Sequence, residues 1–192
     1  MNRRRFNQRN IALFGIVIGL VIASSVHAQE LQIGTGESPL FEGEQLLLNV
    51  SYAAAADIFQ MADGLDRNEG IVGASRAFFM MGNSSEAINV TEQLIGEDAY
   101  ADFPLVSTQL AEVKRAIGRA TEALEILNAV VDGVAEPPVR TLVQYGSLLK
   151  FLGRRTEAEE VLNLAVQRYN NGLVFASEDV AMVALALSLI HI

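Results

Sequence analysis

The sequence predicts an all-α fold, a stack of antiparallel helix hairpins, on three observations. A corner motif (an apolar residue, Gly, two variable residues, Ser or Thr, then Glu-Ala) occurs at Met81–Ala87, Ile117–Ala123 and Leu152–Ala158, with its glycines 36 and 35 residues apart. Seven positions before each glycine stands a small residue, Ser75, Ala111 or Gly146. Breaker segments, Gly96 to Pro104 and Asp132 to Pro138, separate the copies.

Taken in order, residues 1–28 read as a secretory signal peptide. Arg3, Arg4, Arg5 and Arg9 form a basic start, Ile11 to Ile22 an apolar run, and Val26-His27-Ala28 a cleavage site before Gln29. The alternative is a retained membrane anchor, although the run falls short of the roughly 20 apolar residues that span a bilayer. Residues 29–43 read as a flexible lead, because Gly34 to Gly43 is turn-like. Residues 44–67 read as an N-terminal helix or half-repeat. Its helix runs from Glu44 to Ala62, with Ala55, Phe59 and Ala62 on one face and Gly64 closing it.

Residues 68–187 hold three repeats and the start of a fourth. Glycine after an apolar-periodic run ends a helix, because it takes positive φ without a Cβ clash. Ser85, Thr121 and Thr156 then offer an oxygen to cap the next helix, and Glu86, Glu122 and Glu157 complement its dipole. Ala87, Ala123 and Ala158 let the two helices approach closely. Pro104 and Pro138 stand where first-turn prolines are tolerated. Asn170-Asn171-Gly172 marks the last break, and Ser177 is expected to cap a helix from Glu178 to about Leu187. Residues 187–192 resemble the in-frame translation of a transposon end used to prepare sequencing libraries. They read as a non-native tail on a C-terminally truncated fragment; a genuine apolar helix end is the alternative.

The glycine, the alanine five residues on and the small residue seven before resemble the tetratricopeptide repeat (TPR) pattern over about Asn68 to Leu187. The large aromatic that this pattern places eleven before the glycine is Ile71, Ser107 or Leu142 here, and Thr91 stands where the other copies have Leu127 and Leu162. The resemblance implies a right-handed α-solenoid whose concave side holds peptides or partner domains. It also implies which first-helix positions line that side: Glu69, Val72, Arg76, Phe79 and Met80, then Leu105, Thr108, Glu112, Arg115 and Ala116, then Arg140, Val143, Ser147, Lys150 and Phe151.

Composition narrows the function classes. Four of the 14 Lys and Arg lie in the first 28 residues, leaving ten against 23 Asp and Glu, a net charge of −13 for the rest. Such a surface repels phosphate backbones, so no nucleic-acid partner is expected. The chain has no Cys and no Trp, and its two His fall at 27 and 191. With both ends set aside, no His-based metal site, catalytic triad or Cys nucleophile remains. Ser147-Leu-Leu-Lys150 fits the Ser-x-x-Lys pattern of penicillin-interacting enzymes, but no Lys-Thr-Gly or Ser-Asp-Asn follows. The pairs Glu97-Asp98, Glu159-Glu160 and Glu178-Asp179 lack a calcium-loop frame, and Gly34-Thr35-Gly36 lacks the lysine of a phosphate loop.

The expectation is therefore no enzyme and no cofactor, but an exported scaffold or adaptor, periplasmic or secreted. Arg76, Arg115, Arg140 and Lys150, with Ser147, Phe79 and Phe151, would bind a peptide, acidic or presenting a C-terminal carboxylate. The alternative for the cations is ordinary helix packing through their stems. Three other readings stand beside the adaptor: the interaction module of a larger, possibly catalytic protein; a membrane-anchored accessory factor, with membrane contact only if the leader is uncleaved; and an enzyme using carboxylates alone.

Overall fold

The computed structural model describes residues 38–96, 99–171 and 177–190, with only the backbone at 177–181. The expected signal peptide, most of the lead, Gly34-Thr35-Gly36, Glu97-Asp98 and both histidines lie outside the described residues. Among the described residues the structure is helical, with no strand: α1 Pro39–Leu48, α2 Tyr52–Phe59, a 3-10 turn Gly64–Asp66, α3 Arg67–Met80, α4 Ser84–Ile95, α5 Pro104–Ala116, α6 Ala120–Gly133, α7 Val139–Phe151, α8 Arg155–Asn171 and α9 Ser177–Ile190. Helices pack in consecutive pairs, and the first helices α1, α3, α5 and α7 pack on one another in turn.

The three glycine corners are equivalent in atomic detail. Gly82, Gly118 and Gly153 have φ of 79°, 87° and 81°. At each, the glycine N–H donates to the carbonyl three residues back (Phe79, Arg115, Lys150) and the next N–H donates to Phe78, Lys114 or Leu149. This Schellman arrangement satisfies carbonyls left open at the helix end. Ala87, Ala123 and Ala158 are buried, as are Ser75, Ala111 and Gly146 twelve residues before them. Ser75 Oγ donates to the Ala87 carbonyl at 2.9 Å, so the small residue and the alanine are where the two helices touch.

The capping expectation needs correction. Ser85, Thr121 and Thr156 lie inside the second helices, which begin a residue or more earlier. Asn83 is the cap of α4, accepting from the Glu86 N–H at 3.2 Å. The caps of α6 and α8, Arg119 and Arg154, have no capping oxygen; their guanidinium groups instead grip Glu122 and Glu157 in the first turn. The hydrogen bond from Arg119, reinforced by Lys114, holds the Glu122 carboxyl below its usual range, and that from Arg154 does the same for Glu157.

The N-terminal region is also organised differently from the sequence expectation. Residues 39–43, expected in a flexible lead, belong to α1, and the single helix expected from Glu44 to Ala62 is two helices broken at 49–51. Together they form a complete hairpin. Val50 takes the glycine's place: its φ is 61°, its N–H donates to the Leu47 carbonyl and the Ser51 N–H donates to Leu46. Counting from Val50, the repeat positions hold Gly43, Ala55 and Phe59, all buried. Phe59 is held between glycines: a Cβ on Gly43 would stand 2.6 Å from its ring, and one on Gly73 2.5 Å. The loss of the glycine mark hid this fourth corner from the repeat pattern.

At the other end, α9 runs from Ser177 through Ile190, beyond the expected Leu187. Leu189 and Ile190 pack with Met182 against a core of Leu142, Val143, Leu162 and Ala165. No helix among the described residues is long and apolar enough to cross a membrane.

Candidate functional site: the face of the first helices

The face shared by α1, α3, α5 and α7 carries a cavity of about 520 Å³. Its apolar floor comes from Leu40, Phe59, Val72, Leu105, Pro138 and Val139, and its rim from Glu44, Glu69, Arg76 and Arg140. Leu40, Val72, Glu44 and Arg76 occupy matching positions, ten and six residues before Val50 or Gly82. The repeat geometry thus stacks equivalent side chains, and α1, which the sequence pattern did not reveal as a first helix, supplies one wall.

Of the seven residues expected to bind peptide, Arg76 and Arg140 line this cavity. Arg76 Nη1 meets Glu44 Oε1 at 3.4 Å, joining α3 to α1, with both side chains partly exposed. Arg140 is nearly buried. It donates through Nε and Nη2 to Glu112 at 3.0 and 2.8 Å, and through Nη2 to Gln109 Oε1 at 2.7 Å. Beside this group, the Thr108 and Thr141 hydroxyls stand 2.7 Å apart. Arg140 therefore fastens α7 to α5, and the surrounding carboxylates balance the groove's guanidinium charge. Each of the two guanidinium groups has a carboxylate beside it, Glu44 and Glu112.

The other five residues lie elsewhere. Phe79 is half-buried against the central core. Arg115 Nη1 donates to Ser147 Oγ at 3.2 Å, again from one first helix to the next. Lys150 Nζ donates to the Leu189 carbonyl near the end of α9, not to Ser147. Phe151, expected to bind the peptide, is 74% exposed at the corner before Gly153. Of the carboxylate pairs, Glu159 and Glu160 are exposed on α8. No cluster of three or more metal-ligating side chains occurs among the described residues.

No protein-family model and no curated protein matches the chain. Solved structures do. A variant of a Podosopora anserina putative kinesin light chain with nearly identical TPR-like repeats aligns over 79% of this chain and 84% of its own, with 19% identity and a TM-score of 0.55. YrrB, a TPR protein with an unusual peptide-binding site, aligns over 94% of this chain and 88% of its own at 15% identity and TM-score 0.52. A thermophilic TPR protein of Thermus thermophilus, TTC0263, aligns over 79% of this chain and 81% of its own at 22% identity and TM-score 0.52. These likenesses show the fold: the chain is a TPR-like α-solenoid.

Proposed function

We propose that this chain is an exported, non-enzymatic interaction scaffold that receives an extended peptide segment of a partner protein on its first-helix face. The observation that carries the reading is the roughly 520 Å³ cavity with an apolar floor and a charged rim, within the size range of ligand pockets. A partner's apolar side chain would fill the space above Phe59, Val72 and Leu105. The long, partly exposed Arg76–Glu44 contact is of the weak kind, so an Asp, Glu or terminal carboxylate of the peptide can replace Glu44 on Arg76. Arg140, fixed by three hydrogen bonds, positions the walls instead. Export rests on the basic-then-apolar leader of residues 1–28.

Selection of a displayed random-peptide library on the immobilised chain tests this. Enriched peptides should pair an apolar residue with a nearby carboxylate. The half-buried Leu105→Glu should abolish their binding while helical circular dichroism is retained, and Arg76→Ala should remove the acidic preference. Peptides bound equally by folded Leu105→Glu would overturn the proposal.

A further inference from the structure

The four corners, at Val50, Gly82, Gly118 and Gly153, stand on one edge of the stack, since the first helices run side by side, Glu44 meeting Arg76 at the equivalent position and Arg115 meeting Ser147 within one turn of it. That edge is unlike the rest of the surface. Of the thirteen large apolar side chains exposed among the described residues, seven occupy it: Leu48 and Val50, Met80 and Met81, Ile117, Phe151 and Leu152. It also gathers cations in an acidic protein. Six of the ten Lys and Arg outside the leader, Lys114, Arg115, Arg119, Lys150, Arg154 and Arg155, lie within four residues of Gly118 or Gly153. Glu92, Glu122 and Glu157 pair with Lys114, Arg119 and Arg154, whereas Arg115 and Lys150 are bonded to neutral oxygens, with no ion pair to a carboxylate among the described residues.

We propose that this corner edge docks on an anionic lipid surface. The apolar tips are a row of turn residues spaced by one helix-to-helix step, about 8–10 Å. None of the seven lines the first-helix groove or the small cavity of about 80 Å³ that Lys150 and Arg155 border with Leu189, so the apolar tips themselves project. A ridge of Phe, Met and Leu beside Lys and Arg suits shallow insertion at the headgroup boundary, the apolar tips entering and the cations meeting lipid phosphates. The acidic remainder of the chain, screened beyond about 8–10 Å at ordinary salt, orients this edge toward the bilayer. The peptide cavity plays no part, so the two proposals fail separately.

The chain lacks Trp, so a single introduced Trp reports its own position whatever the leader does. Full-length Phe151→Trp is mixed with vesicles of phosphatidylglycerol and phosphatidylethanolamine, or of phosphatidylcholine alone. Leu65→Trp, on the fully exposed connection at the opposite ends of the helices, is the control. Phe151→Trp emission should shift to the blue and be quenched by brominated acyl chains on the anionic vesicles only. The effect should fall at least several-fold in 0.5 M salt (roughly a 4–5 Å Debye length) and in a Lys150→Glu/Arg155→Glu background. It should survive Leu105→Glu, which disables the cavity. An unshifted Phe151→Trp, equal quenching of Leu65→Trp, or equal response to phosphatidylcholine would overturn the proposal. An unshifted probe on a chain whose corner variants still lose a protein partner would assign the edge to that partner instead.

Discussion

Replacing Gly73 by Ala should destabilise the protein, against the usual sign of that change in a helix. Ala in an unconstrained helix interior is favoured over Gly by about 0.8–1.0 kcal/mol. Gly73 sits mid-α3, but a Cβ there would lie 2.5 Å from Cδ1 and Cε1 of Phe59. The ring cannot simply withdraw. It is 2% exposed, and Gly43 of α1 brings a second backbone against the same ring edge, with a notional Cβ at 2.6 Å. Forcing a methyl into a packed site costs about 1–3 kcal/mol. Less the propensity gain, the net loss is up to about 2 kcal/mol, and at about 2–4 °C per kcal/mol for a domain of this size the thermal midpoint should fall by up to about 8 °C. Circular dichroism melts of Gly73→Ala, Phe59→Leu and the double variant give the test, with coupling of at least about 0.5 kcal/mol in the relieving direction expected. A Gly73→Ala variant that melts higher than the parent would refute the sandwiched ring and, with it, the placement of the first hairpin.

Other changes probe the corners. Val50→Gly should raise stability by up to about 1.5 kcal/mol, because relief of the left-handed backbone, roughly 1–2 kcal/mol, outweighs glycine's entropy cost of roughly 0.5–1; a lower urea midpoint would deny that Val50 occupies the glycine's role. Ala123→Leu should cost about 1–3 kcal/mol or more by overpacking the second corner, and an unchanged melt would misplace that joint. The depressed carboxyls of Glu122 and Glu157 contribute stability above the ordinary carboxylate value of 4.5, and that contribution is lost as pH falls through their still lower folded values. Acid unfolding followed in Arg119→Gln/Arg154→Gln should show a shallower fall below pH 4.5 than the parent, and identical profiles would count against the paired first turns.

The three central hairpins were legible because their signal is local: one glycine for a positive φ, one alanine and one small residue for close approach. The first hairpin was not, because Val50 adopts the glycine's backbone without the glycine's identity, φ 61°, and no Glu precedes Ala55. Pattern alone then joined two short helices into one. The caps were misplaced by two positions, since Arg119 and Arg154 carry no oxygen for a free N–H and the nearest hydroxyls drew the expectation inward. Part of the site was legible too. Repeat register put Arg76 and Arg140 on the cavity, but it could not show that Glu44 and Glu112 face them, because those contacts join separate repeats. Phe151 satisfied the same register and still projects into solvent, for a residue just before a helix corner has no following turn to pack under.

The stacking of successive repeats is tested most directly at Thr108 and Thr141, whose hydroxyls meet across α5 and α7 at 2.7 Å. The chain has no cysteine, so Thr108→Cys/Thr141→Cys starts from an empty background. Under mild oxidation, mass spectrometry of the unreduced digest should find the two peptides linked within one chain and the helical spectrum kept. Two free thiols in a folded protein, or links only between chains, would contradict the arrangement.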